Sequence, residues 1–276
     1  APVVSHQQRT GQHAERDRRE QRLHDSLLHR GPLEQNRQQR QAELITRDDM
    51  LTGGCALISV FIREPQFVGQ TKDRLATEEA ARYVEGAVRD HLGCEEAPVF
   101  YVENMLANAL FGLLCWRAIF AAIPGAFFHP FHRAPADLHS LDFHQRRAQE
   151  FADCLAQCDD GRYRATILAH FDEKAGISAP FVSWEYLDRA LLELALDCIP
   201  ATHVKRWCER ILADVKVNRT GFPDLTHFWP RQKRYRMIEV KGPGDRLQDN
   251  QLRWIDYCAA HDMPVAVCYL QWEQAA

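Results

Sequence analysis

Apolar positions along the chain change their spacing several times, and each change marks an element. Met237-Ile238-Glu239-Val240-Lys241 alternates at period two, as a strand does. That alternation turns Ile238 and Val240 toward a core and points Glu239 and Lys241 the other way. Gly242-Pro243-Gly244 then breaks the strand. Asp249 is the expected N-cap of a helix with Leu252, Ile255 and Ala259 on one apolar stripe. Val265–Leu270 reads as a buried returning strand. The order strand, strand, helix, strand is that of a small α/β core.

Upstream the spacing is helical. Ala109–Phe120 is an apolar helical stretch, and Phe143–Cys158, Tyr163–Phe171, Trp184–Asp197 and Ala201–Val215 all carry spaced apolar positions. These helices are expected to flank the sheet and to wall a groove. Cys55–Ile62 reads as a strand, and Glu78–Leu92 as an amphipathic helix with Ala81, Val84, Val88 and Leu92 on one face. Residues 1–42 are rich in Gln, Arg and His and poor in large apolar residues. They read either as a charged surface helix over Ala14–Leu28 or as a disordered tail, because little apolar surface offsets the entropy of ordering. The expected organisation is a polar tail (1–42), a small mixed α/β segment (43–93) and an α/β domain with a helical insert (94–276).

The chemistry lies in Pro223-Asp224 and Ile238-Glu239-Val240-Lys241, which have the form of a PD…ExK nuclease signature. Asp224 and Glu239 are fifteen residues apart, enough for a turn and a second strand, so the two carboxylates can meet at the mouth of a hairpin. Two such carboxylates repel unless a cation lies between them. Hard oxygen donors suit Mg²⁺ or Mn²⁺. A Lewis acid, an activated water and a nearby cation are what phosphodiester hydrolysis needs. A surface Glu/Lys pair on a strand is common, so E-x-K alone says little; the PD at this distance says more.

The longer run sharpens the reading. Gly221-Phe222-Pro223-Asp224-Leu225, followed by Glu239-Val240-Lys241-Gly242-Pro243-Gly244-Asp245-Arg246-Leu247 and then Gln251 and Trp254, resembles the VRR-NUC nuclease domain, and within it the Fanconi-associated nuclease family. Tyr101-Val102-Glu103-Asn104, the segment Ile123–Leu138 and Phe181-Val182-Ser183-Trp184 extend the resemblance from about Pro98 to the C-terminus. The resemblance implies a PD-(D/E)xK, restriction-endonuclease-like core. It implies Glu103, Asp224 and Glu239 as Mg²⁺ or Mn²⁺ ligands, with the Val240 carbonyl as a further one. Lys241 would position the attacking water or stabilise the pentavalent phosphorus, and Gln251 would support the site. Read from the residues alone, Glu103 is a helix-start carboxylate of the kind the helix dipole favours.

The resemblance further implies branched or 5′-flap DNA as the partner, cut near the flap with 5′-to-3′ trimming, in interstrand-crosslink repair. Lys216, Arg219, Arg246 and Arg253 are the expected phosphate contacts, arginine because its planar fork pairs two oxygens. Arg246 can equally pair with Asp245, and Lys216 can equally be a solvated helix end. The chain departs from the family at Arg117, where an acidic residue usually follows the tryptophan, and at Asn250, where some relatives have a basic one. The family's N-terminal DNA-binding modules have no counterpart in these residues, which implies weak activity.

Residues 43–93 resemble a different family, the transducer region of type II topoisomerase ATPase subunits (gyrase B and topoisomerase IV B). There the loop equivalent to Gln70-Thr71-Lys72 reaches an ATP γ-phosphate. No Walker A motif and no nucleotide-binding partner segment accompanies it here, so no nucleotide site is expected and Lys72 reads as a surface lysine. A fusion, an accidental join near residues 93–98 or chance similarity all account for the two resemblances. The competing functional reading is a non-catalytic DNA- or subunit-binding fragment.

Composition adds limits. A net charge of −4 over 276 residues means that DNA affinity must come from a local basic groove. The nine cysteines are odd in number and sit in apolar segments, which fits reduced thiols in a cytoplasmic protein, nucleoid-associated in a bacterium. Cys154 and Cys158 lie four apart on a helix but lack a second pair at zinc spacing, so they are expected to be packing residues; His129 and His132 are expected in surface or structural roles rather than as metal ligands. No signal peptide and no apolar run long enough to span a bilayer is apparent.

Overall fold

In the computed structural model of the protein, the described residues are 2–7, 55–57, 67–68, 74–75, 86, 88–129, 131–242 and 244–272. The chain divides into two compact units, one of Ala1–Val88, Val240–Arg246 and Ala266–Ala276, the other of Arg89–Glu239 and Leu247–Val265.

The first unit holds strands β1 (Pro2–Gln7), β2 (Cys55–Leu57) and the body of β8 (Val265–Trp272). β1 lies between the other two, antiparallel to both, with Val3 opposite Leu57 and Val4 opposite Leu270. The polar tail therefore begins with a strand that its composition did not announce. In β8, Ala266, Cys268 and Leu270 alternate into the core, the returning strand read from the sequence. Strands β3 (Phe67–Val68) and β4 (Arg74–Leu75) form a separate antiparallel pair that brackets the Gln70-Thr71-Lys72 segment. That segment, the Ala14–Leu28 helix and the rest of the Cys55–Ile62 strand lie outside the described residues. Of the helix expected over 78–92, residues 88–92 are helical.

The second unit is built on the antiparallel strands β5 (Val99–Tyr101), β6 (Leu225–Trp229) and β7 (Arg234–Lys241), whose last two residues are counted with the first unit. Tyr101 pairs with Leu225, and Leu225 with Ile238. A 3-10 turn at Pro230–Gln232 closes the β6–β7 hairpin, with Lys233 in the left-handed region at φ 48°.

Helix α1 (Met105–Leu114) is buried from Leu106 through Leu114. A helix apolar on every side belongs in the middle of a core, and α1 is packed between α4 (Tyr163–Lys174) and α6 (Ala201–Ala213). The expected single helix over Ala109–Phe120 instead breaks at Cys115, and α2 (Trp116–Ile119) follows. Helix α3 (Ala148–Asp160) packs against α6. Helix α5 (Arg189–Cys198) starts later than its apolar spacing suggested, because Asp188 Oδ1 accepts from Leu191 N–H at 2.7 Å and fixes the cap there. The short α7 (Val215–Asn218) is capped in the same way by Asp214.

Arg147 is fully buried and paired with Asp137 at 2.8 Å, and its guanidinium lies 4.5 Å from the Phe143 ring centroid. Cys115, Cys154 and Cys208 bring their thiols together between α1, α3 and α6, and the cysteines from Cys94 to Cys268 are free thiols. Cys154 and Cys158 thus pack as expected. His129 lies tilted against His132 and Phe131, and His132 meets Phe128 edge to face.

Candidate active site

Asp224 immediately precedes β6. Continuing the Leu225–Ile238 register by one step sets Asp224 opposite Glu239. Directly opposed residues of an antiparallel pair share a face, with Cβ atoms typically about 4.5–5.5 Å apart. On its other side Asp224 is tied to β5, since Val102 N–H donates to the Asp224 carbonyl at 2.9 Å. Glu103 is the next residue after that tie. The chain therefore brings three acidic residues to one end of the β5–β6–β7 sheet.

Their surroundings differ. Glu239 is fully buried and Asp224 is nearly so, whereas Glu103 is exposed. This corrects the expected alternation: Glu239 and Lys241, read as facing away from the core, are both buried, whereas Val240, read as facing it, is half-buried. Glu239 Oε1 accepts from Gln251 Nε2 at 2.6 Å. Glu103 Oε2 accepts from the Tyr101 hydroxyl at 2.6 Å, and its Oε1 from Asn104 Nδ2 at 3.1 Å. Among the described residues, no three His, Cys, Asp or Glu side chains gather closely enough to form a metal cluster. The register sets Asp224 opposite Glu239; the Glu103 carboxylate stands with its two donors.

Gln251 reaches Glu239 because of the way α8 (Asp249–Ala260) begins. The N-cap is Gln248, one residue before the expected Asp249. Gln248 N–H donates to Gln251 Oε1 at 2.9 Å, half of a capping box. With its oxygen committed to the backbone, the amide turns its NH₂ toward Glu239. The buried stripe of α8 is Trp254 and Cys258, whereas Leu252 and Ile255 are half-buried and Ala259 is exposed. Residues 251, 254 and 258 share one helical face, so the packing that seats Trp254 also aims Gln251. Trp254 lies 4.0 Å, centroid to centroid, from Phe222, two residues before Asp224. Gly221 makes this approach feasible: its φ is 93°, and a Cβ there would lie 2.7 Å from the Asn250 backbone.

Lys241 follows Glu239 by two positions on β7, which puts both side chains on one face of that strand. It is buried, and Val240 between them is half-buried. β7 ends at a turn in which Asp245 N–H donates to the Gly242 carbonyl at 3.0 Å. Among the expected phosphate contacts, Lys216, Arg246 and Arg253 are exposed. Arg219 is half-buried, donates to the Pro180 carbonyl at 3.0 Å and lies over the Phe181 ring, so part of its fork is engaged in packing.

Asn104, Asn108 and Tyr101 belong to this neighbourhood and were not singled out from the sequence. An Asn in the left-handed region leaves no periodic trace. Asn108 is the fourth of ten residues in an apolar helix and reads there as an interruption, yet its Nδ2 ties the Asn104 carbonyl to the Arg219 carbonyl at 2.6 and 2.8 Å.

The donor set fits a hard divalent cation. Two carboxyl side chains set opposite each other by register, one of them fully buried, offer hard oxygen donors of the kind Mg²⁺ or Mn²⁺ takes. No helix among the described residues is long and apolar enough to cross a membrane.

Comparison with known proteins gives two family matches. Residues 159–272 match the VRR-NUC domain, and residues 30–95 match DNA gyrase B. A Pseudomonas aeruginosa protein named Fanconi-associated nuclease 1 homolog is 63% identical over 189 residues, covering 68% of this chain and 34% of that protein. The Schizosaccharomyces pombe homolog is 28% identical over 172 residues, and the human Fanconi-associated nuclease 1 is 28% identical over 173. A crystal structure of paFAN1 bound to 5′-flap DNA with a 2-nucleotide flap and a gap superposes with a TM-score of 0.68 at 62% identity, covering 70% of this chain and 35% of that one. The chain thus spans about a third of the length of the bacterial relative and less of the others.

Proposed function

Residues 159–272 belong to the VRR-NUC domain family, and from that premise we propose that the chain is a metal-dependent, structure-specific DNA nuclease that hydrolyses phosphodiester bonds near 5′ flaps. The α/β, restriction-endonuclease-like architecture expected from the sequence is the one that the match to paFAN1 supports. The observation that carries the reading is the register that sets Asp224 opposite the buried, Gln251-bonded Glu239 at one end of the sheet, with Glu103 one residue beyond the backbone tie to Asp224.

Asp224 and Glu239 would hold Mg²⁺ or Mn²⁺, joined by Glu103 and the Val240 carbonyl. Bound there, the ion would polarise the scissile phosphate and lower the pKa of a water. Gln251 holds Glu239 in one orientation, so the carboxylate does not reorganise when substrate arrives. Lys241 supplies an ammonium that orients the attacking water or balances charge on the pentavalent phosphorus. Lys216, Arg219, Arg246 and Arg253 supply phosphate contacts. With a net charge of −4, DNA affinity rests on these local cations and falls steeply with added salt. Cleavage polarity of 5′-to-3′ and a place in interstrand-crosslink repair follow from the same kinship.

One observation favours a second reading, a DNA- or subunit-binding fragment without catalysis: the Glu103 carboxylate stands with Tyr101 and Asn104 rather than with the other two. Incubation with 5′-flap DNA and Mn²⁺ separates the two. The nuclease reading expects a cleaved flap that Asp224→Ala and Lys241→Ala both abolish. Binding without cleavage supports the second reading, and cutting that survives both substitutions removes this site from consideration.

A further inference from the structure

Asn104 stands at the entrance to α1 but does not cap it, since no helix N–H reaches its side chain. Its backbone is left-handed, at φ 53° and ψ −22°. Glycine adopts that conformation without steric cost, and asparagine tolerates it better than most residues. A glycine would therefore satisfy the turn, and the amide needs a separate explanation.

The amide joins two parts of the candidate site. Asn104 Oδ1 accepts from Phe222 N–H at 3.0 Å, two residues before Asp224. Asn104 Nδ2 donates to Glu103 Oε1 at 3.1 Å. The Tyr101 hydroxyl donates to the other Glu103 oxygen at 2.6 Å. The buried Asn108 fixes the base of this arrangement, donating to the Asn104 and Arg219 carbonyls. The Asn104 amide thus spans from the Pro223-Asp224 turn to the Glu103 carboxylate.

We propose that Asn104 and Tyr101 are positioning residues that clamp the Glu103 carboxylate, one donor to each oxygen, and that Asn104 references this clamp to the turn carrying Asp224. The proposal rests on the nuclease reading, because only a metal-binding Glu103 gives the clamp a purpose. Each oxygen of a carboxylate has room for more than one partner, so a donor on each leaves both able to face a cation. Carboxylate ligands of metals are commonly held by hydrogen bonds of this sort.

The test uses the full chain and Mn²⁺ alone, followed by titration calorimetry, with the melting temperature of the metal-free protein as the structural control. Asn104→Gly keeps the left-handed backbone and removes both side-chain bonds. It is expected to weaken Mn²⁺ binding about tenfold while lowering the metal-free Tm by no more than about 8 °C, the shift two lost hydrogen bonds give. Tyr101→Phe removes the second donor at a half-exposed position that does not carry the fold, and it is expected to weaken binding by a similar factor. On a Glu103→Gln background neither substitution should cost further affinity, because both act through that carboxylate. Losses that add to that of Glu103→Gln overturn the proposal, as does unchanged affinity in Tyr101→Phe and Asn104→Gly. A parent protein that binds no Mn²⁺ through Asp224 overturns this proposal and the nuclease reading together; a parent that binds and cleaves, with both clamp variants at parental affinity, overturns the clamp alone.

Discussion

Replacing Gln251 by Glu changes one atom's role in a contact that geometry defines well. The glutamate keeps an oxygen to accept from Gln248 N–H, so the start of α8 stays capped. What changes is the 2.6 Å donation to Glu239, which becomes an approach of two carboxylates, one fully buried and the other half-buried. A hydrogen bond to a charged group is worth about 1.5–3 kcal/mol, and two like charges about 4 Å apart repel by about 4 kcal/mol at an effective dielectric of 20. Side-chain rotation relieves part of the repulsion, so a net loss of about 3–4 kcal/mol of stability is expected at pH 7.5 in metal-free buffer. The pair then favours a shared proton, which raises the folded-state carboxyl pKa above its unfolded value. The folded protein binds the extra proton, so the variant's stability is greatest at low pH and is lost as pH rises through that raised pKa. The deficit relative to the parent should shrink to about 1 kcal/mol near pH 5, where an O–H···O bond replaces the amide's. Urea unfolding followed by tryptophan fluorescence measures it directly, because Trp254 lies in the same helix. Equal stability of variant and parent at pH 7.5, or a deficit that does not change with pH, would refute the placement of Gln251 against Glu239.

Gly221→Ala combines a φ of 93° with a Cβ 2.7 Å from the Asn250 backbone, and should cost about 3 kcal/mol in urea unfolding. Trp254→Ala removes a buried ring stacked against Phe222, with its Nε1 bonded to the Asn218 and Thr220 carbonyls, and should cost about 3–5 kcal/mol by the same measurement. Burial lowers the pKa of His203, whose Nδ1 meets the Tyr235 hydroxyl at 2.9 Å. A histidine depressed in the folded state takes up its proton more readily once unfolded. Its contribution is therefore present above the unfolded pKa of about 6.5 and lost as pH falls below it; melting curves from pH 7.5 to 5.5 should show a smaller drop in His203→Gln than in the parent.

Several elements could be read from spacing. The strands at 237–241 and 265–270 and the helices at 163–171 and 201–215 all form, the last as α6, which ends at Ala213 before α7 begins at Val215. Where two periods compete, the reading fails. In α8, residues 252, 255 and 259 and residues 254 and 258 both satisfy helical spacing, and the larger Trp254 takes the buried side. In 184–188, apolar spacing suggests a helix, but the Asp188 cap sets its start at Arg189. The carboxylates could be read because their chemistry is named by the residues themselves. Their surroundings could not: the burial of Glu239 and the left-handed turn at Asn104 come from contacts made across more than a hundred residues of chain, as between Asn104 and Phe222.

The acidic residues of the candidate site are held by different kinds of bond, and this has a consequence. Asp224 is fixed through its backbone, by the Val102 tie and by its place opposite Glu239, and the turn before it is closed by Gly221 and Trp254. Perturbing that turn disturbs fold and site together. Glu103 is fixed through side chains on an exposed edge, by Tyr101 and Asn104. Loss of the Tyr101 hydroxyl removes one hydrogen bond at a surface, worth about 1 kcal/mol, and leaves the buried core of α1 intact; loss of the Asn104 amide adds the part-buried bond from Phe222 N–H. Variants near Glu103 should therefore separate site function from stability, whereas variants near Gly221 and Trp254 should not. A series that lowered Tm equally at both places would mean that the Glu103 edge is a structural joint like the other.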